Sequence, residues 1–142
     1  MVFETRPRSD VFKVDATPGI PHVWYTEIFG SPTTDSIKNP LTAAYLRIDS
    51  GPPVTPPVYA FDEAGIVIEG EVNFTDETGN TATLYKGDTF LIRRGSTMIV
   101  SSNRHGVIFK CESQFMGQEI EVKINMRVVP GLISLSSGAD LL

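Results

Sequence analysis

Short β-rich segments follow one another along almost the whole chain, each closed by a cluster of Pro, Gly, Asp or Asn. This succession limits the fold more than any other feature of the sequence. Val11–Val14, His22–Phe29, Thr42–Asp49 and Gly65–Glu69 are rich in β-branched and aromatic residues. Glu71–Thr75, Thr81–Tyr85, Asp88–Ile92, Met98–Ser101, Gly106–Glu112 and Glu119–Val129 continue the pattern. Ten such strands in 142 residues predict one all-β domain, a sandwich or a barrel, and no helix is required. The length suffices for one core and not for two. The Pro-rich run Gly51–Pro57 cannot enter a central ladder, because each proline lacks the N–H a ladder uses; it reads as an edge strand or a rim crossing. Asp76–Asn80 reads as a hairpin turn in which Gly79 and Asn80 can take positive φ.

Charge and composition exclude several classes of function. A net charge of −5 offers no basic stripe for phosphates, so nucleic acid is not an expected partner. No apolar run is long enough to span a bilayer, and the first residues carry charges where a secretory signal needs an apolar stretch. The expectation is a cytoplasmic protein with no membrane partner. The single cysteine, Cys111, lies in the strand-like run Val107–Cys111 and is expected to be a buried structural thiol. Residues 1–10 and 133–142 read as terminal arms.

Two spaced motifs make the pattern specific. Glu63 is followed, after six residues, by Gly70, which is expected to be the turn glycine of a tight hairpin. Seventeen residues after Gly70 comes Gly87-Asp-Thr-Phe-Leu-Ile-Arg-Arg-Gly95. The pair resembles the two motifs of the cupin superfamily, over about residues 53–113. The run Tyr59-Ala-Phe-Asp-Glu-Ala-Gly-Ile-Val-Ile-Glu-Gly, with Lys86-Gly-Asp-Thr-Phe-Leu-Ile, resembles more narrowly the small single-domain cupins related to the ethanolamine-utilisation protein EutQ. The resemblance implies a single cupin domain over residues 1–142, a double-stranded β-helix or jelly-roll barrel. It also implies a homodimer built by adding or exchanging edge strands, for which Val11–Val14 and Glu119–Val129 are the expected contributors. In the second of these, Ile120, Val122, Ile124 and Met126 form one alternating apolar face. An acyl-phosphate activity, also implied by the EutQ resemblance, finds no Gly-rich phosphate loop to support it.

The departures from the motif matter as much as the matches. Metal-binding cupins carry a His-x-His pair ahead of the glutamate and a third histidine just past the second motif's glycine. In this chain those places fall on Pro56 or Pro57, on Val58 or Tyr59, and on Met98, leaving Glu63 alone. One carboxylate cannot supply the three or four donors that zinc or a transition metal requires. No metal and no cofactor are expected.

A cavity with a small organic molecule as its partner is the expectation that remains. Alternation puts Glu63, Gly65 and Val67 on one face, with Tyr59 beside them if the strand is regular that far. Met98, Val100 and Ser102 are expected to line the same interior. On Thr42–Asp49, Tyr45 and Arg47 share one parity and Leu46 and Ile48 the other, and either set can face the cavity. Trp24 and Tyr25 are adjacent, so one turns inward and the other outward; His22 shares parity with Trp24. The candidates for chemistry are Glu63, Tyr59, Arg47 and His22, with Trp24, Tyr45, Val67, Met98 and Val100 lining the substrate. A carboxyl in an apolar barrel has its pKa raised toward the range useful for proton transfer. Structural roles compete: Glu63 as a rim carboxylate or as a buried partner of Arg47, Arg47 paired with a neighbouring acid, Tyr59 as a packed ring. Three readings stay open. The chain is a metal-independent isomerase, lyase, dehydratase or cyclase, with a place in secondary metabolism among the options; or it binds a metabolite without turning it over; or it is an oligomerisation module with a filled interior.

Overall fold

A computed structural model describes residues 3–7, 14–34 and 36–130. The expected strand Val11–Val14 falls mostly on residues outside these, as do residues 8–10 and 133–142 of the expected arms. The described residues form nine strands and one helix in order: β1 (Val23–Gly30), β2 (Thr42–Asp49), β3 (Val54–Thr55), β4 (Glu63–Asp76), β5 (Thr81–Tyr85), β6 (Thr89–Ile92), β7 (Met98–Ser101), β8 (His105–Glu112), α1 (Glu119–Asn125) and β9 (Arg127–Val128). They form one curled antiparallel sheet, a half-closed barrel with strand order β1-β2-β8-β4-β7-β3-β9, in which β5 and β6 pair with β4.

β4 holds the two halves together. Its first half pairs with β8 and β6, and its second half with β5 and β7. The change of direction falls at a bulge between Val67 and Glu69, followed by Gly70 at φ 67°. Gly70 faces Gly106 of β8 in register, and a Cβ on Gly70 would lie 2.0 Å from the His105 carbonyl oxygen. Here the backbones approach too closely for any side chain. Gly70 is therefore not the turn of a tight hairpin, as its motif position suggested, but a hinge inside one continuous strand. The turn after β4 is the expected one at Asp76–Asn80. Gly79 takes φ 84°, Asn80 keeps a negative φ, and Asp76 Oδ1 accepts the Thr78 and Asn80 N–H groups.

Around Pro52–Pro57 the prolines flank a two-residue strand rather than forming an edge. Val54 pairs with Val100 on one side and Val128 on the other.

The last expected strand is the main correction. Residues 119–125 form α1, and only Arg127–Val128 returns to the sheet. Four apolar residues at every second position also pair as i and i+4, so the pattern fits a helix as well as a strand. Glu119 bonds Lys123 Nζ at 2.7 Å along the helix, and the acidic residues Glu119 and Glu121 occupy its first turn. Glu27 of β1 fixes the entry by accepting the N–H groups of Gly117 (2.8 Å) and Gln118 (2.9 Å). Val122 packs on the core and Met126 is buried, whereas Ile120 and Ile124 are exposed.

The centre of the barrel is filled. Val23, Leu46, Ile48, Val67, Val72, Val100 and Ile108 are buried within one apolar cluster, each contributing roughly 1.5–3 kcal/mol. Cys111 is only half-buried, because the odd-numbered positions at this end of β8 turn away from that cluster. No helix is long and apolar enough to cross a membrane among the described residues.

Candidate functional site

At one end of the barrel the inward row of β8 changes character. Ile108 belongs to the apolar cluster, but the next two inward positions are Lys110 and Glu112. Register sets Glu112 opposite Glu63, the first residue of β4, and sets Lys110 opposite Gly65 and Ala44. The Phe90 ring fills the space over Gly65 that a Cβ would take. Two like charges opposed across a ladder repel, so this pair depends on a cation between them. Lys110 provides it: Nζ lies 2.9 Å from Glu63 Oε2 and 3.1 Å from Glu112 Oε1. All three are buried, with Glu63 and Glu112 each 1% exposed and Lys110 6%.

Two phenols complete the group. The Tyr25 hydroxyl donates to both oxygens of Glu112, at 3.0 and 3.3 Å, and its ring lies 5.0 Å from Lys110 Nζ. The Gln114 side-chain amide also donates to Glu112. Tyr59, held by backbone bonds to Gly95 and Ser96, stacks edge-on against Phe61 and interacts electrostatically with Glu63, Lys110 and Glu112.

The two carboxylates thus differ. Glu112 is fixed by Tyr25, Gln114 and Lys110. Glu63 accepts only from Lys110, through Oε2, and its Oε1 accepts no hydrogen bond among the described residues. Burial raises the Glu63 pKa above the ordinary carboxylate value, Lys110 pulls it back, and Glu112 adds to the rise. Burial alone would lower the pKa of Lys110, but the surrounding Glu63, Tyr59, Glu112 and Tyr25 raise it well above the lysine value and keep the ammonium charged. Burial likewise raises both tyrosines.

A cleft of about 40 Å³ reaches this group, walled by Pro56, Pro57, Val58, Tyr59, Phe61, Lys110, Glu112 and Val122. A mouth of about 110 Å³ adjoins it under α1, sharing Pro57, Val58, Phe61 and Val122. Larger hollows lie elsewhere. One of about 440 Å³ is walled by Phe74, Leu84, Phe90, Ile92 and Met98, and one of about 640 Å³ runs over Tyr85, Arg104 and His105. Neither reaches a buried group of acids and bases, whereas the small cleft does.

The residues expected from the sequence divide between two faces. Glu63 and Tyr59 come together. Arg47, Tyr45 and Trp24 lie on the opposite, outer face, because Leu46 and Ile48 take the inward parity of β2 and Tyr25 that of β1. There Arg47 pairs with Asp49 at 3.0 Å and lies 4.9 Å over the Trp24 ring, while Tyr45 packs edge-on against Phe109. His22 bonds the Pro52 carbonyl at 2.9 Å on an exposed rim. Val67 and Val100 are core residues, Met98 walls the separate 440 Å³ groove, and Ser102 is buried with its hydroxyl donating to the Glu71 carbonyl. The sequence reading missed Lys110, Glu112 and Tyr25. Lys110 and Glu112 share parity with Ile108, but it is the register of β8 against β4 that shows their partners.

Metal-binding members of the fold hold a cation near the Glu63 position. The donors here do not fit one: no cluster of three His, Cys, Asp or Glu residues exists among the described residues, and an ammonium already lies between the two carboxylates.

The curled antiparallel sheet with its glutamate-bearing β4 is the cupin fold. Residues 48–108 match the family model of the EutQ-like cupin domain. The fold is similar to a putative ethanolamine utilization protein Q from Salmonella typhimurium (22% identity, TM-score 0.53, covering 64% of this chain and 68% of that one). It is similar to the EutQ protein of Clostridium difficile (16% identity, TM-score 0.55, 68% and 65%). Ectoine synthase from P. lautus is similar over nearly the whole length (14% identity, TM-score 0.66, 93% and 94%). No curated protein sequence matches the chain.

Proposed function

We propose that this cupin is a metal-independent small-molecule enzyme whose acid–base centre is Glu63, supported by Lys110, Glu112 and Tyr59. The observation that carries this reading is the buried Glu63–Lys110–Glu112 group, in which Lys110 and Glu112 wall a cleft and Glu63 lies behind Lys110. Burying two carboxylates and an ammonium costs several kcal/mol per ion before their attraction offsets it, and apolar residues of equal volume would hold the fold as well. A perturbed carboxyl with one uncommitted oxygen, beside a fixed cation, suits an isomerase, lyase, dehydratase or cyclase. The full-length likeness to ectoine synthase supports only the fold.

Glu63 serves as the proton-transfer group, Lys110 stabilises developing negative charge, and Glu112 with Tyr25 holds Lys110 in position. Desalted host-cell extract treated with wild type and with Glu63→Gln, compared by mass spectrometry, tests the proposal. A compound consumed by wild type and spared by a folded Glu63→Gln supports it; equal effects of the two proteins, or a stoichiometric transition metal in the purified protein, overturn it.

A cytoplasmic homodimer belongs to the same proposal. Among the described residues β1 pairs with β2 alone, and Ile120 and Ile124 remain exposed beside it, which supports a second copy as the cover. Light scattering that finds only a monomer at working concentration overturns that part.

A further inference from the structure

The cleft wall carries hydrogen-bonding capacity that the protein leaves unused. Lys110 has three N–H groups and donates one hydrogen bond, to Glu63, while its ammonium forms an ion pair with Glu112 at 3.1 Å; no further acceptor exists among the described residues. The Tyr59 hydroxyl makes no hydrogen bond among the described residues, although Tyr59 is only 5% exposed. Tyr25, by contrast, donates to Glu112. Both Lys110 and Tyr59 wall the cleft, and Glu63 Oε1 is an uncommitted acceptor one hydrogen bond behind Lys110. Two spare donors ask for an oxygen, and a spare acceptor nearby asks for a proton.

Charge decides which oxygen compound fits. The group already sets two carboxylates against one ammonium, so a carboxylate ligand would add a second uncompensated negative charge in a buried place. An amine cation would meet the Lys110 ammonium and two donors. A neutral carbonyl adds no charge and accepts from both.

Building on the acid–base reading above, we propose that the cleft takes a small neutral carbonyl compound, its oxygen held by the Lys110 ammonium and the Tyr59 hydroxyl. Glu63 then removes a proton from the carbon next to the carbonyl. The C–H bond breaks, its electron pair forms the C=C bond, the carbonyl π pair moves onto oxygen, and the proton rests on Glu63 Oε1. The negative charge lost by Glu63 reappears on an oxygen beside Lys110, so the total charge of the buried group is unchanged. Return of the proton to the same carbon exchanges it, and its return to a different atom of the enolate isomerises the compound. The mouth also carries Gln114, Gln118 and Glu121, and its apolar part, Pro57, Val58, Phe61 and Val122, suits a short hydrocarbon remainder.

Butanone in deuterium oxide is the test, with α-proton exchange followed by NMR. Wild type accelerates exchange over buffer by about tenfold or more, and Glu63→Gln and Lys110→Met abolish the acceleration. Tyr59→Phe removes one oxygen and no charge, keeps the fold, and lowers the acceleration without changing its pH profile; it keeps the test decisive if Lys110→Met fails to fold. Saturation-transfer spectra detect butanone in preference to butyrate and butylamine. Exchange at the buffer rate, or preferred binding of butyrate or butylamine, overturns the assignment. If the extract experiment still finds a compound that depends on Glu63, the carbonyl class falls and the acid–base centre stands; failure of both removes both.

Discussion

Strands β2 and β8 lie side by side, and each carries alternating charged residues, yet they turn them to opposite faces. On β2, Arg47 and Asp49 face outward, where they pair at 3.0 Å beneath Trp24 with about a third of each side chain exposed. On β8, Lys110 and Glu112 face inward, where they join Glu63 and Tyr25 out of contact with bulk water. The ingredients are the same: a cation, an aromatic ring and a carboxylate. The outer group follows the usual alternation. The inner group departs from that alternation at a cost in solvation, and the departure coincides with a cleft. Local conflict with the folding pattern is a mark of a functional site.

Breaking the inner group at its cation should have the largest effect. Lys110→Met leaves two opposed carboxylates buried without compensation. It should destabilise the protein by about 3–5 kcal/mol near neutral pH, with a smaller loss in acid, as read by denaturant unfolding. Glu63→Gln should lower turnover by about 10²–10⁴-fold while the fold is kept, measured on whichever compound the extract experiment identifies.

The pH dependence follows from the sign of the Glu63 shift. Its folded pKa lies above the unfolded value because burial disfavours the charged form. Its contribution to stability is therefore fully present below the ordinary carboxylate range and is lost as pH rises through the raised value. Thermal unfolding of Glu63→Gln should lack that component. Lys110, Glu112 and Tyr59 are the groups that face it, and Lys110 stays charged throughout that window. The outer group gives the smallest effect. Arg47→Ala should change stability by no more than about 1 kcal/mol, less at high salt, and leave turnover unaltered.

Most of the fold was legible because turn residues separate strands of clear period, as at Thr42–Asp49 and Asp76–Asn80. Parity on β2 was also readable in principle, since Arg47 and Asp49 occupy one face and Leu46 and Ile48 the other. The same rule misleads on β8. Val107, Phe109 and Cys111 are its apolar alternation, yet only Val107 of these is buried, and beyond it the barrel buries Ile108, Lys110 and Glu112. Only register, which brings Glu63 opposite Glu112, reveals that this lysine has partners. The helix at Glu119–Asn125 was hidden for a similar reason: its entry is fixed by Glu27, a residue 90 positions from Gly117 in the chain.

The most direct test sets the two faces against each other in one assay. Wild type, Glu63→Gln and Arg47→Ala are incubated with the same host extract, and the consumed compound is quantified by mass spectrometry. The account predicts that wild type and Arg47→Ala consume it equally and that Glu63→Gln leaves it untouched. Retained consumption by a folded Glu63→Gln, or its loss in Arg47→Ala, would contradict the assignment of the buried group as the catalytic centre.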